Sequence, residues 1–171
     1  MIILIGADVV PHKSLEQHFI NENIDQLLGS KLKSIWTNSD FRIINLETPI
    51  TNNQKPILKN GPNLIAKEET INGIVKLKPS LVCLANNHIM DQDYEGLKNT
   101  ISLLDKHKLS HIGAGNKLFN AKQPYIYDDG IKKIGVYNCA EHEFGIAGEE
   151  LPGANPFDPL TSLDDIQELS K

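Results

Sequence analysis

Three short apolar runs in this chain each end directly in polar side chains. The runs cover residues 2–7, 41–46 and 81–85. Short apolar runs bounded by turn residues are typical of strands that are buried on both faces, as in a parallel sheet. Segments with helical spacing lie between the runs. Because strands alternate with helices along the chain, the sequence predicts the α/β class.

The helical patterns and one hairpin signal complete the predicted order of elements. Gly29 is expected to separate the first two helices, since glycine commonly ends a helix. Asp128-Asp129-Gly130 lies between two apolar runs and predicts a β-hairpin. The predicted helices cover residues 14–28, 31–37 and 68–77, a segment capped by Asp93, and residues 164–169.

Length and composition describe an ordinary globular protein. The 171 residues, 40% of them hydrophobic and 23% charged, predict a single domain covering residues 1–171. A net charge of -5 gives no basic surface for nucleic acid. The first apolar run is too short to cross a membrane, and no later segment is long enough. We therefore expect no membrane segment and a cytoplasmic location.

The polar clusters at the C-terminal ends of the three runs are Asp8, then Asn45 with Glu47, then Asn87 with His88. In open α/β sheets, ligands bind at the carboxyl ends of the strands, so these side chains are expected to converge. Carboxylate, amide and imidazole donors suit hard or borderline divalent metals such as Mg, Mn, Fe or Zn. Two such metals would clamp a phosphoryl group and activate a bridging water.

Other interpretations of the same residues stay open. Asp8 and the asparagines also suit helix caps and turns, which would leave a plain α/β ligand-binding domain. His142 follows a later strand and is a candidate substrate-binding residue. The loop at residues 48–63 is the longest in the sequence, and long ordered loops are often functional.

Several segments resemble the bacterial capsule-synthesis protein CapA family, which is associated with poly-gamma-glutamate and is similar to the calcineurin-like metallophosphoesterases. The main matches are Gly6-Ala7-Asp8, Ile44-Asn45-Leu46-Glu47-Thr48-Pro49-Ile50 and Leu84-Ala85-Asn86-Asn87-His88-Ile89-Met90-Asp91. Weaker matches follow at Gly96-Leu97 with Thr100, and at Gly113-Ala114-Gly115 with Ala121. The resemblance therefore runs through nearly the whole chain.

The resemblance implies the N-terminal part of a four-layer α/β/β/α sandwich with two divalent metals at the strand ends. The implied function is capsule or poly-gamma-glutamate biosynthesis, with hydrolysis of a phosphoester in a small-molecule or polymer substrate. The implied metal ligands are Asp8, Asn45, Glu47 and Asn87. His88 is the implied catalytic residue, and Asp91 is implied to orient His88 or its loop.

This sequence departs from the family pattern at three places. Ala7 separates Gly6 from Asp8, whereas the family has aspartate directly after the glycine. Related phosphoesterases have a histidine two residues after that aspartate, where this chain has Val10. The later histidine motifs are absent and would lie beyond Lys171.

Because those histidines are missing, we expect a C-terminally truncated chain with little activity of its own. We also expect self-association through exposed sheet surface. The alternative is a non-catalytic accessory or binding protein of exopolymer assembly that keeps the same fold.

Overall fold

A computed structural model of the chain describes residues 1–169. The strands are β1 Ile3–Val9, β2 Phe41–Leu46, β3 Leu81–Cys83, β4 His111–Ile112, β5 Ala114–Gly115, β6 Tyr125–Asp128, β7 Lys133–Val136 and β8 Gly153–Ala154. The α-helices are α1 Glu16–Ile20, α2 Ile24–Thr37, α3 Ile71–Leu77, α4 Asp93–Lys106, α5 Leu118–Ala121 and α6 Thr161–Leu169. Short 3-10 helices at Lys13–Leu15 and Glu68–Thr70 lead into α1 and α3.

The four strands β1 to β4 form one parallel sheet in sequence order. Two small antiparallel sheets join β5 to β8 and β6 to β7. The predicted α/β class is therefore confirmed. The hairpin predicted at Asp128-Asp129-Gly130 is also present, with Gly130 at a φ of 84° in its turn. Because successive parallel strands all end at one edge of the sheet, their C-terminal residues are brought together.

The two faces of this sheet are covered differently. One face packs against the helices, and its core includes Phe19 of α1, Trp36 of α2 and Leu97 of α4. The other face carries Phe41 and a smaller cluster of strand residues beneath the β6–β7 hairpin. The Phe41 ring stacks on Tyr127, with ring centroids 4.3 Å apart. The described buried residues of this cluster come from β2, β3 and β4.

The prediction that the first strand is buried on both faces is wrong. Among residues 1–169, β1 lies at the edge of the sheet and pairs with β2 alone. Ile3 and Ile5 oppose Phe41 and Ile43, but they lie outside the cover of the hairpin and are 38% and 72% exposed. An apolar run alone does not reveal whether a strand is central or at an edge, which explains the error. Self-association through this surface stays a prediction.

The first predicted helix is also shorter than expected. The pattern over residues 14–28 divides into α1 and the first part of α2, with Glu22 at a φ of 57° between them. The helical geometry is interrupted at Gly29, whose φ is 65°, as its position in the pattern predicted. Within residues 1–169, no helix is both long and apolar enough to cross a membrane.

Candidate functional site

The position of Asp8 depends on an irregularity in β1. Ile5 pairs with Ile43, whereas Asp8 pairs with Asn45, so β1 has one more residue than β2 between these pairs. Without this bulge, Ala7 would oppose Asn45 and Asp8 would project from the opposite face. The bulge thus absorbs the extra alanine that separates Asp8 from Gly6. It places the Asp8 carboxylate beside the end of β2.

A chain of carboxamide hydrogen bonds connects the ends of β1, β2 and β3. The Asn45 Nδ2 donates to Asp8 Oδ1 at 2.7 Å, and Asn86 Nδ2 donates to Asn45 Oδ1 at 3.2 Å and to the Leu46 carbonyl at 3.0 Å. The His88 backbone N–H donates to Asn86 Oδ1 at 3.1 Å. Asn86 is buried, and a buried amide needs such partners. These bonds fix the relative positions of the three strand ends.

Glu47 follows β2 directly and forms the second carboxyl group of the site. Its pKa is raised above the ordinary value of 4.5, first by burial and then by the negative charge of Asp8. A hydrogen bond with Asp8 raises this pKa further, while the charge of His88 lowers it. The Asp8 and Glu47 carboxyl groups are therefore close neighbours at the ends of β1 and β2.

The raised pKa of Glu47 predicts a pH-dependent gain of stability in the variant Glu47→Gln. Below about pH 4.5 the carboxyl group is protonated in both the folded and the unfolded chain. As the pH rises above that value, the unfolded chain ionises first, so ionised Glu47 opposes folding. Urea unfolding in EDTA should show the variant more stable than wild type near neutral pH and equal to it near pH 4. If the difference in stability between the variant and wild type were the same at both pH values, this prediction would be contradicted.

A second group of ionisable side chains occupies the turn after β3. His88 Nδ1 lies 2.6 Å from Asp91 Oδ2, which also accepts the Leu64 backbone N–H at 2.6 Å. Lys59 forms an ion pair with the other Asp91 oxygen, and its Nζ lies 3.2 Å from His88 Nδ1. The side chains of Lys59 and Asp91 are 2% and 0% exposed, whereas that of His88 is 15% exposed. The structure thus pairs Asp91 with His88, and it adds a buried cation.

Lys59 is the site residue that sequence reasoning missed. The loop at residues 48–63 was expected to be functional, but nothing in its sequence distinguishes Lys59 from the neighbouring Lys55. Lys55 extends into solvent and pairs with Asp93 at 2.7 Å, with 58% of its side chain exposed. Only the three-dimensional path of the loop buries one lysine and exposes the other.

The remaining predicted residues lie in different surroundings. The Asn87 side chain is half-buried, and its backbone carbonyl lies 3.4 Å from Lys59 Nζ. Within residues 1–169, its carboxamide has no hydrogen-bond partner. His142 is exposed in a distant part of the sequence. No hydrogen bond or ion pair in the described part of the chain joins His142 to the strand-end residues, so its role stays a prediction.

The ligand set differs from that of a complete metal centre. Among residues 1–169, no three His, Cys, Asp or Glu side chains come together in a way that could hold a metal ion. Asp8 and Glu47 supply two carboxylates, and carboxamides supply the neighbouring oxygens. Asn45 uses both its amide nitrogen and its oxygen in hydrogen bonds, although a carboxamide oxygen retains a second lone pair.

The protein is of the α/β class, with a polar site at the carboxyl edge of its parallel sheet. That site contains carboxylates, carboxamides and a His–Asp pair. Within that class, the chain belongs to the family of bacterial capsule synthesis proteins, PGA_cap, whose family model matches residues 2–163. The resemblance seen in the strand-end segments is therefore confirmed.

Curated relatives agree with this membership. The chain is 29% identical to the PGA biosynthesis protein CapA of Bacillus subtilis strain 168 over 146 residues, which are 82% of this chain and 38% of that protein. It is 30% identical to the capsule biosynthesis protein CapA of Bacillus anthracis over 136 residues, 77% of this chain and 33% of that protein.

A third relative carries a different description. A Mycobacterium tuberculosis protein described as a probable polyglutamine synthesis accessory protein is 33% identical over 87 residues, 51% of this chain and 23% of that protein. The matched region spans well under half the length of each of these three relatives.

Proposed function

We propose that this chain contributes a metal-dependent hydrolase site of the phosphoesterase type to a protein of capsule or poly-glutamate biosynthesis. The observation that carries the proposal is the meeting of two groups at one sheet edge. The Asp8–Glu47 carboxyl pair and the His88–Asp91 pair lie close enough for the charges of His88 and Asp91 to alter the pKa of Glu47. The first group suits a divalent cation, and the second suits proton transfer.

The described residues fit one hard divalent cation better than two. The Asp8 and Glu47 carboxyl groups repel each other when both are ionised, and a cation between them would remove that repulsion. Asn87 offers a carboxamide oxygen with no partner inside residues 1–169. Mg, Mn, Fe or Zn would suit these donors. A second metal would need ligands beyond those that residues 1–169 bring to this site.

Each residue then has a distinct role. A bound cation would polarise a phosphoryl oxygen and lower the pKa of its water. Asp8 and Glu47 hold the position of that cation, and Asn45 keeps Asp8 oriented through its 2.7 Å hydrogen bond. In its protonated form, His88 would donate the Nε2 proton to the departing oxygen of the substrate, because Nδ1 is occupied by Asp91. Asp91 fixes the plane of the imidazole ring.

A non-catalytic accessory role is the second candidate. It is favoured by the lack of any three-residue His, Cys, Asp or Glu cluster among residues 1–169. The description of the Mycobacterium tuberculosis relative as an accessory protein points the same way. In that case the strand-end residues would bind a polymer or small molecule through their carboxamides and carboxylates. The two candidates differ in whether substrate is consumed.

Metal content and hydrolysis measured on the full-length protein distinguish these candidates. We expect stoichiometric Mn, Fe or Zn by elemental analysis, and hydrolysis of a generic phosphodiester such as bis-p-nitrophenyl phosphate. Glu47→Gln should lose most of both, because it removes one of the two charges that hold the cation. The matched control Glu149→Gln changes an exposed glutamate and should alter neither.

Each result has a clear meaning. Bound metal without hydrolysis would reject the hydrolase and favour the accessory protein. Absence of metal, together with a Glu47→Gln variant that behaves as wild type, would reject the metal site itself. The polar clusters would then be turn residues.

A further inference from the structure

We propose that Lys59 is a positioning residue which fixes the tautomer of His88 by supplying the counter-charge of Asp91. The inference rests on the proposed function because it assigns Lys59 to that site. Lys59 belongs to the long loop and lies outside the strand ends. The test of the inference measures the tautomer of the His88 imidazole directly and needs no substrate.

In the loop at residues 48–63, a charged side chain is buried while its apolar neighbour is exposed. Leu58 is fully exposed, while the side chain of the adjacent Lys59 is 2% exposed. Hydrophobicity would produce the opposite arrangement. The Lys59 ammonium instead pairs with Asp91 and lies 5.2 Å from the centre of the Phe144 ring, which favours a cation at its face. The loop therefore turns an apolar side chain outward so that an ammonium group reaches Asp91.

The distances around His88 Nδ1 decide where its proton lies. Asp91 Oδ2 is 2.6 Å from Nδ1, the length of a strong charge-assisted hydrogen bond, whereas Lys59 Nζ is 3.2 Å away. An ionised carboxylate can only accept. If Lys59 donated to Nδ1, the lone pair of Nδ1 would face a carboxylate oxygen at 2.6 Å. The arrangement therefore requires a proton on Nδ1 of neutral His88.

This tautomer leaves Nε2 as the atom that exchanges protons. Within residues 1–169, no hydrogen bond engages His88 Nε2, and the side chain keeps 15% of its surface exposed. The arrangement depends on Asp91 being a carboxylate, and a carboxylate with no exposed surface requires a counter-charge. Within residues 1–169, Lys59 is the lysine that pairs with Asp91. Neutralising Lys59 would leave Asp91 either protonated or reached by water, and the Nδ1–H preference of His88 would be lost.

The experiment records the imidazole tautomers of the full-length protein by long-range ¹H–¹⁵N correlation, in buffer with diamagnetic Mg²⁺ near pH 8. At that pH most imidazoles are neutral. The His88 signal is assigned by its disappearance in His88→Asn. We expect Nδ1–H in wild type, loss of that preference in Lys59→Met, and its retention in Lys59→Arg, which keeps the positive charge. Lys55→Met is the matched control, since it removes a lysine–aspartate pair at the surface of the same loop.

The outcomes separate positioning from a merely structural role. A folded Lys59→Met variant whose His88 keeps the wild-type tautomer would overturn the inference, even if the variant were less stable. If that variant does not fold, the wild-type spectrum and Lys59→Arg still decide: an Nε2–H tautomer in either would overturn it. Failure to hydrolyse phosphodiesters would count against the proposed function alone, because the tautomer is measured without substrate.

Discussion

Replacing Asp91 with alanine is expected to cost about 3–5 kcal/mol of folding free energy, because it leaves a buried ammonium without its counter-charge. Lys59 would remain with a side chain that is 2% exposed in the wild-type protein. The variant also deprives the Leu64 N–H and His88 Nδ1 of their acceptor. Urea unfolding followed by circular dichroism measures this loss. The effect should appear as a lower midpoint with little change in slope.

Asp105→Ala is a matched control for that measurement. Asp105 also pairs with a histidine, His111, at 3.0 Å, but its side chain is 67% exposed. Surface changes of this kind usually alter stability by no more than about 0.5 kcal/mol. Equal effects of the two substitutions would show that the Lys59–Asp91 pair is solvated in solution. The burial of Lys59, Asp91 and His88 as one group would then be contradicted.

Much of this architecture could be predicted because local chemistry determines it. The hairpin around Gly130 follows from an acidic pair and a glycine between apolar strands, and the structure forms it with Gly130 at positive φ. The kink at Gly29 has the same kind of origin. Polar clusters after β2 and β3 also had to meet, since parallel strands end at one edge. These features require only neighbouring residues and the direction of the strands.

The features that could not be predicted depend on distant parts of the chain. Lys59 is buried because Phe144 and Asp91, 85 and 32 residues further along, come to lie against it. β1 is exposed because the hairpin packs on β2, β3 and β4 and leaves Ile3 and Ile5 uncovered, which no property of the run at residues 2–7 could reveal. The bulge that aligns Asp8 with Asn45 also depends on strand pairing.

The bulge changes the interpretation of one departure from the family pattern. In the sequence, the extra alanine before Asp8 is a departure from the family pattern. In the structure, one surplus residue in β1 restores the pairing of Asp8 with Asn45. The departure at Val10 has no such compensation among the described residues. The first strand therefore keeps its carboxylate but lacks the histidine found in related phosphoesterases.

Replacing His88 with asparagine is expected to lower the turnover of a phosphodiester by the full-length protein at least about 100-fold, while its metal content stays unchanged. Positioned general acids and bases commonly contribute factors of this size. Asparagine keeps a polar group near Asp91 but has no nitrogen that titrates near neutral pH. In the proposed mechanism His88 acts on the departing oxygen, so kcat should fall much more than KM changes.

His111→Asn provides the matched control, since it changes a second histidine paired with an aspartate, in the edge strand β4. It should hydrolyse the substrate at the wild-type rate. A His88→Asn variant that matches this control in kcat would remove His88 from the chemistry and favour the accessory role. If His88→Asn loses metal together with activity, His88 is instead a metal ligand. It would then act by holding the cation and not by transferring a proton.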